Sequence, residues 1–329
     1  MKRAIFLLPT GSRAQIYSPE VVSQIEKLVE LTDCSALAGD LDALRPALAQ
    51  TEIILSGWGM MTLNQEFLTA APRLEAVLYG AGSVHGFVTD EFWQRKILLT
   101  SVWAANAIPV IEFTLAAIVF GLKQALGAAA MTREGRAFKL PTNVRGVYGA
   151  KIGIIGAGMV GTGVLERLKE YEVTTCCYDP FLSEERARQL GTTLVSLDEM
   201  FSTCDVVSLH AANIPATAHM LTGAHFRRMK EGAVFINTAR GRIIKEDEMI
   251  AVLREGRIFA FIDVTDPEPP PPDSPLYTLP NVFLTPHLAG SRGVEIYRQG
   301  ECVLEELKRF VSGQLPRYPV TQDMMKWMG

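Results

Sequence analysis

The segment Lys151–Asp179 constrains the fold more than any other part of the chain. It opens with the apolar run Ile152–Ile155 and passes directly into Gly156-Ala157-Gly158-Met159-Val160-Gly161. A helical stretch to about Tyr171 follows, then a second apolar run, Val173–Tyr178, which ends at Asp179. Strand, glycine turn, helix and strand in this order make a βαβ unit, which requires a parallel sheet with helices on its faces. The GxGxxG glycines permit a tight turn and a close backbone approach, so that a pyrophosphate can rest on the helix N-terminus. Asp179, at the tip of the second strand, is placed to accept hydrogen bonds from both hydroxyls of a ribose. The pattern predicts a dinucleotide site; a glycine turn that only packs helix on sheet is the alternative. A carboxylate repels a 2′-phosphate, and Pro180 and Phe181 rather than an arginine come next. NAD is therefore favoured over NADP, while Arg186 and Arg188 in the next helical stretch keep NADP open.

The same alternation runs through the rest of the second half. Strands are predicted at Val206–Leu209, Val234–Ile236, Phe259–Ile262 and Val282–Leu284, with a stiff loop at Pro267–Pro275, where six of nine residues are proline. Six strands in series suit a doubly wound α/β sheet, whose ligands sit beyond the carboxyl ends of the strands. Read in order, the residues there are Gly156, Asp179, His210, Asn237 to Arg240, Asp263 and His287. The first hundred residues alternate more weakly, with strands at Ala4–Leu8, Ile53–Leu55 and Ala76–Leu78 and a helical stretch at Val21–Leu31. The last two of these strands end in Ser56-Gly57-Trp58-Gly59 and Gly80-Ala81-Gly82-Ser83. At 329 residues the chain has room for two domains. A boundary is expected near residue 105, where a long helix begins, and Gly293–Phe310 reads as one helix with no strand after it.

With 32 Lys+Arg against 36 Asp+Glu, the net charge is −4. That offers no electrostatic footprint for nucleic acid or for an anionic membrane surface. The apolar stretch Ala107–Leu122 carries Pro109 and Glu112 and is read as a buried helix. The apolar run after Met1-Lys2-Arg3 stops at Pro9, too soon for a signal peptide. Cys34, Cys176, Cys177, Cys204 and Cys302 are scattered, without zinc spacing. They read as reduced, buried thiols of a cytoplasmic protein without a bound metal.

Three polar residues follow the late strands: Arg240, Glu268 and His287. Singly each has an ordinary reading, as a surface charge, a solvated loop acid and a loop histidine. Together at one sheet edge they compose a site: an arginine fork grips a carboxylate, a histidine exchanges a proton near neutral pH, and a glutamate fixes the imidazole tautomer.

Gly156-Ala-Gly-Met-Val-Gly161, Asn237-Thr-Ala-Arg-Gly241, Asp263 with Glu268-Pro269, and Thr285-Pro-His287 resemble the signature blocks of the D-isomer-specific 2-hydroxyacid dehydrogenases. Asn106-Ala107-Ile-Pro-Val110-Ile-Glu112-Phe-Thr114 and Ser208-Leu-His210 extend the resemblance over nearly the whole chain. It implies two doubly wound parallel-sheet lobes, a Rossmann nucleotide lobe (residues 106–290) inserted in a flavodoxin-like substrate lobe (1–105 and 291–329), and a homodimer built largely from the nucleotide lobes. It implies that NADH gives hydride to C2 of a 2-oxoacid, making a D-2-hydroxyacid, while His287 protonates the oxygen, Glu268 supports the histidine and Arg240 holds the substrate carboxylate and carbonyl. Implied cofactor contacts are Val110, Gly156, Gly158, Met159, Val160, Gly161, Asp179, Pro180, His210, Ala211, Ala212, Thr217, Thr238, Ala239, Asp263 and Ala289, with Asp263 on the nicotinamide carboxamide. Implied substrate contacts are Gly80, Ala81, Gly82, Asn106 and Arg240, the amides near Ala81 and Gly82 receiving the carboxylate.

The chain departs from the common pattern at Val84, where many members carry aspartate, at Ala212 in place of a proline, and at Met159-Val160 in place of Arg-Ile. A phosphite-oxidising relative and an NAD-sensing corepressor-like scaffold of the same fold are the alternative readings. Trp58, Tyr79 and Trp103 are candidates to line a substrate cleft or to pack a lobe core.

Overall fold

The structure, a computed structural model, describes residues 1–136, 138, 141 and 144–326. The chain divides into two compact units, Met1–Asn106 with the segment from Ser291 onward, and Ala107–Gly290.

The first unit is built on β1 (Arg3–Phe6), β2 (Glu30–Asp33), β3 (Ile53–Ser56), β4 (Ala76–Tyr79) and β5 (Leu98–Ser101), all parallel, in the order β2-β1-β3-β4-β5. This is the flavodoxin-like doubly wound order. Alternate residues of each strand feed opposite faces. Ala4, Phe6, Leu55 and Leu78 pack with Ile16, Val303 and Leu307 on one side, and Ile5, Leu7, Ile54 and Val77 with Phe67 and Phe92 on the other. Strands buried on both faces read as unbroken apolar runs, which is why β3 and β4 were legible. β2, Glu-Leu-Thr-Asp at the sheet edge, has no fully buried residue and no such signature. The closing helix is Tyr297–Val311, preceded by a tighter 3₁₀ turn at Gly293–Ile296 where a continuous helix was expected. At Gly300 a Cβ would lie 2.2 Å from Ile16 O, so only glycine lets the helix approach that closely.

The second unit carries β6 (Lys151–Ile155), β7 (Thr174–Tyr178), β8 (Thr193–Leu194), β9 (Val206–Leu209), β10 (Val234–Asn237), β11 (Phe259–Ile262) and β12 (Val282–Leu284). They form one parallel sheet in the order β12-β11-β10-β9-β6-β7-β8. The six expected strands are present, and β8 adds a two-residue edge that periodicity cannot reveal. The order reverses at β6, so the crevice lies between the ends of β6 and β9.

The long helix is Trp103–Leu122. Ile111, Ile118 and Leu122 pack with Ile152, Ile154, Val234 and Ile236. The expectation of a buried helix needs correction. The helix is long and apolar enough to cross a membrane by length and composition, yet only about half of it is buried, and Phe120 is 49% exposed. The following helix, Ala125–Gly135, buries no residue. All five cysteines are free, four buried and Cys302 partly so.

Candidate active site

At the end of β6, Gly156 has φ +90, and a Cβ there would lie 2.7 Å from Ala211 N and Cα and 2.8 Å from His210 C. The turn therefore runs against the end of β9 with no room for a side chain. Gly161 is tighter still, with a Cβ position 1.9 Å from Gly156 O, so the helix Met159–Leu168 is packed directly on the turn it leaves. Gly158 differs. It caps the helix with φ −68, is exposed, and a Cβ there would meet nothing within 4 Å. The Asp179 carboxylate reaches back to this turn, accepting from Ala157 N at 2.7 Å and, through its other oxygen, from Phe181 N at 2.8 Å.

The adjacent strands β10, β11 and β12 deliver the polar trio to one sheet edge. Asn237, fully buried at the end of β10, accepts from Ala239 N (3.0 Å) and donates to Arg240 O (3.2 Å), shaping the Thr238-Ala239-Arg240 turn. A Cβ on Gly241 would lie 2.0 Å from Thr265 C, so the backbone after Arg240 rests on the segment after β11. The Arg240 guanidinium donates to Ala239 O at 2.7 Å. His287 Nδ1 and Glu268 Oε1 are 2.6 Å apart. His287 has φ +50, a left-handed backbone uncommon outside glycine. Asp263 holds that turn: its carboxylate accepts from Thr285 Oγ1 (2.6 Å), Leu288 N (2.8 Å) and Ala289 N (2.9 Å), and its carbonyl from His287 N (2.9 Å). Glu268 and His287 are thus joined directly, and Arg240 is brought to the same edge through its backbone.

The other expected cofactor residues in the second unit fall into two groups. Met159, Val160, Pro180, Ala211 and Ala212 stand at the ends of β6, β7 and β9 at least partly accessible, whereas Val110, Thr238 and Ala289 are buried. The Thr238 hydroxyl lies 3.3 Å from that of Thr114, and Thr217 Oγ1 ties its own loop through Ala212 O (2.6 Å). His210 Nε2 lies 2.8 Å from Ser208 Oγ, and burial pushes this imidazole down to about 3. Burial therefore favours its neutral form.

In the first unit, Gly80, Ala81 and Gly82 form the turn after β4. Asn106 Oδ1 accepts from Ser291 N (3.1 Å) and Gln299 Nε2 (3.2 Å), so its carboxamide oxygen ties the closing helix to the start of the long one. Val84 is wholly buried among the unit's core residues. Tyr79 is also core, and Trp103 packs edge-on to Tyr318 at 5.8 Å between ring centres, while Trp58 is 37% exposed. Sequence reasoning passed over Asn237, Ser101 and Thr285 as organisers of these turns. A terminal Asn or Ser after an apolar run was the available signal.

The sequence profile of the D-isomer specific 2-hydroxyacid dehydrogenase NAD binding domain matches residues 115–289, more than half of the chain and all within the second unit. The chain belongs to the D-isomer-specific 2-hydroxyacid dehydrogenases. It is 32% identical over 270 residues to the glyoxylate reductase of Korarchaeum cryptofilum, which covers 80% of this chain and 81% of that protein. It is 30% identical over 252 residues to the D-3-phosphoglycerate dehydrogenase of Archaeoglobus fulgidus, covering 76% of this dehydrogenase but 48% of that protein. The chain thus spans about half the length of the latter. Two solved structures share the fold. One is a phosphoglycerate oxidoreductase from Rhizobium etli, with TM-score 0.83, 24% identity and coverage of 97% and 98% of the two chains. The other is a D-isomer specific 2-hydroxyacid dehydrogenase from Lactobacillus delbrueckii ssp. bulgaricus in complex with NAD, with TM-score 0.80, 21% identity and coverage of 97% and 100%.

This dehydrogenase is NAD-dependent, and its residues fit the cofactor. The open space at Gly158, the N-cap of the helix Met159–Leu168, would admit a pyrophosphate to that helix N-terminus. Each Asp179 oxygen accepts a backbone N–H, and the remaining lone pairs of the carboxylate would accept from ribose hydroxyls.

Proposed function

We propose that this dehydrogenase interconverts a 2-oxoacid and the corresponding D-2-hydroxyacid, with His287 as the general acid and base, Glu268 as its orienting carboxylate and Arg240 as the cation for the substrate's carboxylate and carbonyl. The observation that carries the reading is the 2.6 Å approach of His287 Nδ1 to Glu268 Oε1. Bound NADH supplies the hydride. With Nδ1 engaged by Glu268, the proton exchanged at the 2-oxygen is the one on Nε2. Glu268 fixes the ring plane and the tautomer through that contact. The Arg240 guanidinium balances negative charge that develops on the carbonyl oxygen as the bond to C2 is reduced. The left-handed turn bound to Asp263 holds the imidazole at the sheet edge.

The apolar surface of Trp103–Leu122 and Ala125–Gly135, with Phe120 and Met131 exposed, supports a homodimer formed by this face. The five free thiols suit a reducing, cytoplasmic setting.

The test is a turnover panel of glyoxylate, hydroxypyruvate, pyruvate and phenylpyruvate with NADH and with NADPH. At least one oxoacid should be reduced, with NADH preferred, and His287→Asn should lower kcat on the order of a hundred- to ten-thousand-fold. Full turnover by that variant overturns the role of His287. Failure of the wild type on every oxoacid overturns the reading.

A further inference from the structure

Two of the five thiols meet inside the second unit. Cys176, the middle residue of β7, and Cys204, which follows the helix Leu197–Thr203, are both fully buried, and their Sγ atoms lie 3.3 Å apart. Gly153 of β6 pairs with Cys176, and a Cβ there would lie 3.1 Å from Cys204 Sγ and 2.7 Å from Met200 Sδ, so a side chain at that position would crowd the sulfurs. Two ammonium groups flank Cys204 along the chain: Lys151 Nζ donates to Thr203 Oγ1 (2.8 Å), and Lys230 Nζ to Asp205 Oδ1 (2.9 Å). The Asp205 charge is engaged by Lys230 and by Arg145 Nε at 3.1 Å. Neighbouring cations of this kind favour a thiolate. The hydrogen bond from Cys176 draws the Cys204 thiol below its ordinary range, with burial opposing it and Lys151 and Lys230 assisting, whereas that bond and burial hold Cys176 above. Cys177 faces the other side of β7, where it packs with Ile154 and Leu190, and Cys34 and Cys302 belong to the first unit.

We propose that Cys176 and Cys204 form a reversible redox site, at which Cys204 reacts with a hydroperoxide and Cys176 resolves the product as a disulfide. The Cys204 sulfur attacks the peroxide: an S–O bond forms, the O–O bond breaks, and the leaving oxygen takes up the proton that Cys204 gave up, as an alcohol or water. The sulfenic acid then meets Cys176, whose sulfur bonds to that of Cys204 as the S–O bond breaks, and the hydroxide leaves with the Cys176 proton as water. The two thiols lose two electrons and two protons, and the peroxide gains them. The oxidant reaches Cys204 from the end of its seven-residue helix, where Ser202 is exposed and Thr203 half-buried, so local opening of that helix sets the rate. With Cys176 already in contact, the sulfenic acid is consumed before a second peroxide carries it to the irreversible sulfinic acid. In a reducing setting such a pair is a transient switch and not a structural bond. The site is independent of the 2-oxoacid reading, since neither sulfur stands at the carboxyl edge of the sheet.

The experiment exposes the folded full-length protein to a small molar excess of hydrogen peroxide, unfolds it in urea with iodoacetamide, and maps the cysteines by mass spectrometry. In the wild type two of the five thiols should be lost to alkylation, as a cross-linked Cys176–Cys204 peptide pair that dithiothreitol returns to thiols, while Cys177 stays alkylated throughout. Cys176→Ser should accumulate Cys204 as a sulfenic acid captured by dimedone and, with longer exposure, as a sulfinic acid about 32 Da heavier than the thiol. Cys204→Ser should leave Cys176 unoxidised under the same exposure. A wild type in which Cys176 and Cys204 remain alkylated, or in which Cys302 alone is oxidised, overturns the proposal, and that result requires neither variant to fold. Capture of a sulfenic acid at Cys176 in Cys204→Ser overturns the assignment of the attacking and resolving sulfurs.

Discussion

His287 Nδ1 and Glu268 Oε1 are 2.6 Å apart, although both side chains are 43% exposed and the residues come from the ends of different strands. At that exposure the pair adds little to stability, so its consequence is orientation of the ring. Glu268→Gln keeps the size and removes the charge and the strong acceptor. The expected result is a fall in kcat on the order of ten- to a hundredfold, with NADH affinity and thermal stability unchanged. A variant with wild-type kcat would show that the carboxylate does not set the tautomer that reacts.

Asp263 holds the turn on which that ring stands. Its three side-chain acceptor bonds, to Thr285 Oγ1, Leu288 N and Ala289 N, hold a backbone that leaves His287 at φ +50. In Asp263→Asn one oxygen becomes an amide that faces a backbone N–H. Loss of about 1–3 kcal/mol in unfolding free energy is expected from the unmade bonds, measured by denaturant titration, with kcat reduced because the imidazole is no longer held. Retention of both stability and kcat would show that the turn is maintained without this carboxylate.

The βαβ unit from Lys151 to Asp179 was legible because strand, turn and helix are each determined by neighbours in sequence. The strand ends were legible too, and with them the positions of Arg240, Glu268 and His287 after β10, β11 and β12. What was not legible depends on distant partners. Ser101 lies twenty residues from Ala81, whose carbonyl it binds, and a buried serine gives no local sign of its acceptor. β2 is a polar edge strand and β8 is two residues long, so neither shows an apolar run. The Trp103–Leu122 helix is apolar enough to have been read as buried, but composition cannot distinguish a side covered by its own sheet from one left outward.

That outward side gives a prediction about assembly. Phe120 is 49% and Met131 42% exposed. The double variant Phe120→Glu, Met131→Glu places charges where an apolar interface would form, and burying an unpaired charge is unfavourable. Sedimentation should show a dimer for the wild type and a monomer for the variant. A wild-type monomer, or a variant that remains dimeric, would remove this face from the assembly.

His210 supplies a pH dependence of stability. Its folded pKa is pushed down from 6.5 to about 3 by burial. Above 6.5 neither the folded nor the unfolded chain carries the proton, and the group has no effect. As pH falls below 6.5 the unfolded chain binds a proton that the folded one refuses until about 3, so stability declines by up to about 1.4 kcal/mol per pH unit. His210→Gln should reduce the loss of stability between pH 7 and pH 5 relative to wild type, as read from thermal melts. Equal losses in both proteins would mean that His210 is readily protonated in place.

The two glycines that frame the nucleotide turn should separate folding from cofactor binding. At Gly161 a Cβ would stand 1.9 Å from Gly156 O, so Gly161→Ala must push the helix off its strand. A loss of about 1–3 kcal/mol, typical of overpacking, is expected even without cofactor. At Gly158 a Cβ meets nothing within 4 Å and φ is −68, which alanine adopts without strain. Gly158→Ala should therefore leave the melting of the cofactor-free protein within about 0.5 kcal/mol of wild type. It should nevertheless weaken NADH binding about tenfold or more, because the added methyl occupies the space through which a pyrophosphate approaches the helix N-terminus. Unchanged NADH affinity in Gly158→Ala would place the pyrophosphate elsewhere, whatever Gly161→Ala does to stability.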